Sequence, residues 1–339
     1  MNDERRAELA VTLARPARAW LIGAALMLAG CAGGPSVTRE AAAPATTPGQ
    51  GFAQSGGVNI AYAEFQNSAF PYHGPIPDQD RPFLNVNQDG RLGDSSVRGG
   101  VYWEDEHYND RHVLLAAGSD FDARRAGDLV LFFHGNEATL ARDVVDRQQT
   151  PQQLAASGLN GVLVAPQMAV DAADSSAGRF WQPGALAQFL NEADSRLAEL
   201  YPGTPRSAFR RMPVVIVAYS GGYLPAAYAL AVGGAGDRVR GVVLFDALYG
   251  EEDKFADWIE GSRGRAFFVS AYSKSSQSGN QSLRQRLISA GVNVQDHVPE
   301  RLGPGVVAFV DAGDVSHNDF VNAAWTSNPL RDILARIEQ

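Results

Sequence analysis

The stretch 213–230, PVVIVAYSGGYLPAAYAL, sets the terms on which this chain can fold. Residues 214–218 form a short apolar run rich in β-branched side chains, the pattern of a strand buried on both faces. Gly221 and Gly222 break the run. Residues 223–230 then read as a helix, with Pro225 tolerated because it falls in the first turn. Ser220 stands at the bend between the two. A bend this sharp crowds the backbone on both sides of the hydroxyl-bearing residue, and Ala218 and Gly222 supply the small neighbours it needs. On its own, the pattern also fits a plain Ser-Gly-Gly turn after any buried strand.

The rest of the chain alternates in the same manner. Strands apolar on both faces are expected at 128–133, 161–165, 241–245, 266–270 and 306–311. Helices are expected at 137–149, 185–200, 251–259, 281–290 and 318–337, the second with Leu186, Phe189, Leu190, Ala193, Leu197 and Leu200 on one face. Thr150 is expected to cap a further turn, with Pro151 at the first helical position and Gln153 completing a capping box. Such strands, separated by helices, predict an α/β protein with a mostly parallel central sheet covered by helices on both faces. The early part is irregular, with short strands expected at 58–63, 100–103 and 112–117. Residues 70–75 read as an ordered loop, since aromatics beside proline seldom stay solvated. A length of 339 residues, 45% apolar and 20% charged, suffices for one large domain or two small ones. We place a single domain at 58–339, with 58–127 as N-terminal decoration and early strands.

The first thirty residues differ in kind. Arg5, Arg6, Arg15 and Arg18 precede an apolar run at 19–28 that is too short to span a bilayer as a helix. The run ends in Leu28-Ala29-Gly30-Cys31, and Cys31 is the single cysteine of the sequence. An ordinary signal peptide with a chance cysteine is one reading. Taken together, the features resemble a bacterial lipobox, which implies cleavage before Cys31 and lipidation of its thiol. That leaves no free thiol for a disulfide or a cysteine metal site. The expected layout is a signal peptide at 1–30 and, through residue 57, a lipidated Cys31 with a tether rich in Ala, Pro, Thr, Gly and Gln. Ala32 after Cys31 resembles lipoproteins sent on to an outer membrane, implying its periplasmic face in a diderm host. The net charge of −9 argues against nucleic acid as a partner.

In parallel sheets chemistry gathers where the strands end at their carboxyl side. After the strand at 128–133 come His134-Gly135-Asn136; after 241–245 comes Asp246; after 306–311, a Gly-containing loop carries His317. The turn around Ser220, with Ala at the first glycine position, resembles the nucleophile elbow G-x-S-x-G of the α/β-hydrolases. The chain order Ser220, Asp246, His317 is that of the same superfamily. The resemblance covers the chain from about residue 128 onward and implies that Ser220 is a nucleophile, His317 its base and Asp246 the acid. It also implies an oxyanion site from the Gly221 N–H and an N–H near Asn136, with Gly135 allowing close approach. One departure stands out: in most of that family the acid follows the strand after next from the elbow, here 266–270, yet Ser270-Ala-Tyr-Ser-Lys-Ser-Ser-Gln holds no carboxylate, and Asp246 lies one strand earlier, as in some members. Asp311 and Asp314 therefore remain alternatives to Asp246. The loop 171–181 should overhang Ser220. Tyr219 and Trp181, with Tyr223, Phe180, Tyr249 and Tyr272, are candidates to line an acyl pocket, though core packing is an equal reading for them. The function so implied is cleavage of a small-molecule or lipid ester (or an amide) through an acyl-enzyme, with no metal or organic cofactor. An acyltransferase, a peptidase or a non-catalytic envelope binding lipoprotein would share the same sheet.

Overall fold

The computed structural model describes residues 53–338 apart from 56, 80, 97 and 98. The expected signal peptide, Cys31 and nearly all of the tether lie outside the described residues. The strands are β1 (Ala53–Ser55), β2 (Val58–Glu64), β3 (Val86–Gln88), β4 (Arg91–Ser95), β5 (Val101–Trp103), β6 (His112–Gly118), β7 (Asp128–Phe133), β8 (Gly161–Pro166), β9 (Val214–Tyr219), β10 (Val239–Phe245), β11 (Phe267–Tyr272) and β12 (Val307–Asp311). The helices are α1 (Glu104–His107), α2 (Thr150–Ser157), α3 (Ala185–Leu200), α4 (Arg206–Arg210), α5 (Tyr223–Val232), α6 (Glu252–Gly261), α7 (Gln277–Ser289) and α8 (Pro329–Ala335).

One sheet runs in the order β1-β2-β6-β8-β7-β9-β10-β11-β12. From β8 to β12 every pairing is parallel, while β6 is antiparallel to both β2 and β8. Alternation along each strand divides the core. Val214, Ile216 and Ala218 of β9 face the layer of α3, α5, α6 and α7, whereas Val215, Val217 and Tyr219 face that of α2 and α8. Both faces are dry, so β9 is apolar throughout. β3, β4 and β5 form a separate antiparallel sheet, of which the sequence reading expected only β5, at 100–103, and left the rest as irregular chain. Phe70 and Tyr72 of the expected ordered loop are buried, joining Phe83, Tyr108 and Trp181 in an aromatic cluster.

Three expectations need correction. The helix expected at 137–149 is a π-helix at Leu140–Arg147. Glu137 has a φ of 54° and gives its N–H to the Ala172 carbonyl, so the helix cannot begin there. Thr139 caps it instead, accepting from the Arg142 N–H. The capping box at Thr150 does not form. Gln149, left-handed at φ 51°, is the cap; the Thr150 hydroxyl donates to the Val144 carbonyl, and the Gln153 amide donates to the Gln148 and Val321 carbonyls. Lastly, the long closing helix is only α8. Pro329 disfavours helical backbone at the residue before it, and Asn328 sits at φ 142°, so residues 320–328 pack as an irregular segment with Trp325 stacked on Phe245.

Candidate active site

Ser220 follows β9 directly, in a one-turn 3-10 segment, Ser220–Gly222, that leads into α5. Its φ of 54° is left-handed, a conformation that costs a non-glycine residue about 1–3 kcal/mol. Burial of Val214, Val215, Ile216 and Val217, each about 1.5–3 kcal/mol, holds the strand that imposes it. Small neighbours are obligatory here. A Cβ on Gly222 would land on the Phe133 carbonyl oxygen, and one on Gly135 would come within 2.8 Å of the Ser220 Cβ.

The structure brings His317 and Asp246 to this hydroxyl. His317 Nε2 lies 2.7 Å from Ser220 Oγ, and His317 Nδ1 lies 2.7 Å from Asp246 Oδ2. The ring is one-third exposed while Asp246 is wholly buried. Asp246 follows β10 with a φ of 45°, so both the hydroxyl and the carboxylate leave their strands in left-handed backbone. Asp311 and Asp314 do not join them: Asp311 accepts from the Gly313 N–H, and the exposed Asp314 pairs with Lys274 at 2.5 Å.

What surrounds Asp246 was not foreseen. Its Oδ1 accepts from the Ser273 N–H at 2.9 Å and the Ser276 hydroxyl at 2.5 Å. Its Oδ2 accepts from the Ser273 and Ser275 hydroxyls at 2.8 and 2.6 Å, besides the imidazole. Burial pushes the carboxyl up, but the bonds from His317, Ser275, Ser276 and the Ser273 amide outweigh it and hold it well below the ordinary range. The loop after β11, where the sequence offered no acid, thus presents three serines to the acid on β10. The available signal was that run of hydroxyls at a strand end beside β10.

Tyr219 and Trp181 are corrected as pocket residues. Tyr219 is buried with its ring stacked on His317, centroids 5.2 Å apart, and its hydroxyl donates to the His317 carbonyl at 2.8 Å. Trp181 is buried against Tyr72 and Phe83, and Phe180 against Phe133 and Phe189. Of the six aromatic candidates, Tyr249 stands at the rim, 42% exposed, 2.8 Å from Ser275 Oγ and 3.3 Å from His317 Nδ1. Tyr223 packs beside it. The loop 171–181 does reach the site. Ser175 donates to Asn136 Oδ1 at 3.0 Å, and its Oγ would lie 2.7 Å from a Cβ on Gly221.

His134 serves the scaffold. It is buried, with Nδ1 against the Gly135 carbonyl and Nε2 accepting from the Met168 N–H at 2.9 Å. Burial pushes its imidazole down, toward the neutral form those bonds require. It ties the end of β7 to the end of β8 and so fixes the Gly135–Asn136 turn beside Ser220.

The strand order, the reversed β6 within it and the Ser220 turn at the centre of the sheet decide the architecture. It is the α/β-hydrolase fold. No protein-family model matches the chain, and no curated protein matches its sequence. Among solved structures, a mutant of the feruloyl esterase module from Clostridium thermocellum is 15% identical, with 81% of this chain and 95% of that one covered and a TM-score of 0.41. An S-formylglutathione hydrolase from Agrobacterium tumefaciens is 11% identical over 85% of this chain and 98% of that one, at 0.44. A fluorophosphonate-binding serine hydrolase of Staphylococcus aureus is 10% identical over 78% and 94%, at 0.41. Likeness of this degree carries neither substrate nor site residues across.

Proposed function

We propose that this chain is a membrane-anchored serine hydrolase that cleaves a small-molecule or lipid ester. Ser220 Oγ attacks the carbonyl carbon while His317 Nε2 takes its proton. Asp246 accepts the Nδ1–H, which selects the reactive tautomer and balances the charge of the imidazolium. The N–H groups of Gly221 and of the Asn136 turn receive the oxyanion, with Gly135 keeping that turn close. His317 then protonates the departing alkoxide. Water, deprotonated by the same ring, attacks the acyl carbon and frees the acid and Ser220. Cys31 carries the lipid anchor, and no metal or organic cofactor enters the cycle.

The observation that supports this reading is the unbroken line Ser220–His317–Asp246, two contacts of 2.7 Å each. A fluorophosphonate probe, which phosphonylates an activated serine, tests it. Wild type should label, and Ser220→Ala should not. An unlabelled, folded wild type would discard the enzymatic reading in favour of a non-catalytic binding protein.

A further inference from the structure

The carboxamide of Asn136 lies against the residue that follows Ser220. A Cβ on Gly221 would land on Asn136 Oδ1 and come within 2.7 Å of Ser175 Oγ. The Ser175 hydroxyl donates to that same Oδ1 at 3.0 Å. The donors around this point divide into spent and spare. The Glu137 N–H is spent on the Ala172 carbonyl at 2.8 Å, whereas the N–H groups of Asn136 and Gly221 have no hydrogen-bond partner among the described residues. Within the carboxamide, Oδ1 is occupied by Ser175, while Nδ2 donates to nothing among the described residues. A bare amide oxygen beside a growing negative charge would repel it. A hydroxyl donated to that oxygen offsets the repulsion and leaves the nitrogen free to donate.

Ser175 is held in turn from outside the main sheet. Tyr108, just past α1, donates its hydroxyl to Asp174 Oδ2 at 2.8 Å, and Asp174 Oδ1 accepts from the Ser176 N–H and hydroxyl at 3.1 and 2.9 Å. Tyr102 of β5 accepts from the Ala173 N–H at 3.2 Å. Arg142 joins Asp171 Oδ1 to the Glu137 carbonyl with two contacts of 2.7 Å. Residues 171–176 are therefore strapped both to the turn at 135–137 and to the small sheet and α1.

We propose that Ser175 is a positioning residue for the oxyanion site: by donating to Oδ1 it turns the Asn136 carboxamide so that Nδ2 joins the Gly221 and Asn136 N–H groups as a third donor. The side chain of Asn136 is then a catalytic group in its own right. The segment before β6 also acquires a task, since Tyr102 and Tyr108 hold the loop that carries Ser175. This deepens the ester-hydrolase reading and rests on it.

The full chain is assayed on p-nitrophenyl acetate, with folding followed by thermal melt. Loss of one oxyanion donor costs about 100-fold or more in kcat, so Asn136→Ala and the isosteric Asn136→Asp should each fall by that much with KM little changed. Ser175→Ala, which bares Oδ1, should lose about tenfold, and Ser175→Thr should regain most of it. A trifluoromethyl ketone reports on the oxyanion directly: its carbonyl carbon bonds to Ser220 Oγ, the hydroxyl proton passes to His317, and the carbonyl oxygen becomes anionic. Its affinity should drop in each variant by the same factor as kcat/KM. Adding Ser175→Ala to Asn136→Ala should cost nothing further, because the serine acts through the carboxamide. Unchanged kcat in Asn136→Ala or Asn136→Asp, an added loss from Ser175→Ala on the Asn136→Ala background, or a raised KM with kcat intact would overturn the proposal and leave hydrolysis by Ser220 standing. A wild type that neither labels with a fluorophosphonate nor cleaves the ester would overturn both.

Discussion

A buried carboxylate has to be answered atom by atom, because its charge has no water to lean on. Asp246 is answered by five donors, three of them serine hydroxyls from one loop. A hydrogen bond to a charged group is worth about 1.5–3 kcal/mol, and a tenfold rate change corresponds to about 1.4 kcal/mol. Ser276→Ala should therefore lower kcat on an ester substrate by about tenfold or more, with partial recovery in Ser276→Thr. Unchanged kcat would mean that the other four donors hold the acid in place without Ser276. Ser220, Asp246 and His317 were legible because each stands just past an apolar strand, where chain order and spacing carry information. The serines were not, since hydroxyls in a loop have no periodicity. Tyr219 was misread although the clue existed: it shares parity with Val215 and Val217, which puts it on the α8 side of the sheet rather than in a pocket. The buried place of Trp181 depends on Tyr72 and Phe83, about a hundred residues away in the chain, and no local pattern reveals such a contact.

Elements were read well where burial dictates them. The parallel strands β7 to β12 are almost wholly apolar, so their order in the chain followed from sequence alone, whereas β1, with Gln54 and Ser55, fell within the expected tether and was missed. Helix ends failed where a single backbone conformation decides, as at Glu137, Gln149 and Asn328. In the small sheet β5 was expected, but β3 and β4 were missed because they are short and carry Gly93, Asp94 and several polar residues. Asp94 gives this small sheet a pH signature. Burial raises its carboxyl to about 6, with Arg81 opposing and Asp174 adding to the shift. A carboxyl raised by folding favours the neutral form. Its contribution to stability is full below the unfolded value near pH 4 and is lost as pH rises through about 6. Thermal melts from pH 4 to 8 should show this loss in wild type and a flatter profile in Asp94→Asn. Equal slopes in the two would remove Asp94 from the account.

At the scale of the molecule, the candidate site lies along the carboxyl ends of the strands, while the described chain begins elsewhere, in β1 on the outer flank of the sheet. Cys31→Ser should release the protein from membranes and leave ester cleavage intact, because no described contact of the site involves residues before β1. Activity lost together with anchoring would show that the bilayer takes part in building the site. The parallel run from β8 to β12 makes this division possible, since it aligns strand ends from distant parts of the chain along a single rim. Within that rim, Tyr219 has a further effect. By stacking against the imidazole and donating to the backbone oxygen of His317, the neighbour of Ser220 ties the ring to the same strand tip that carries the hydroxyl. Pulling the last loop away from Ser220 would thus have to break the stack and the bond to Tyr219 first.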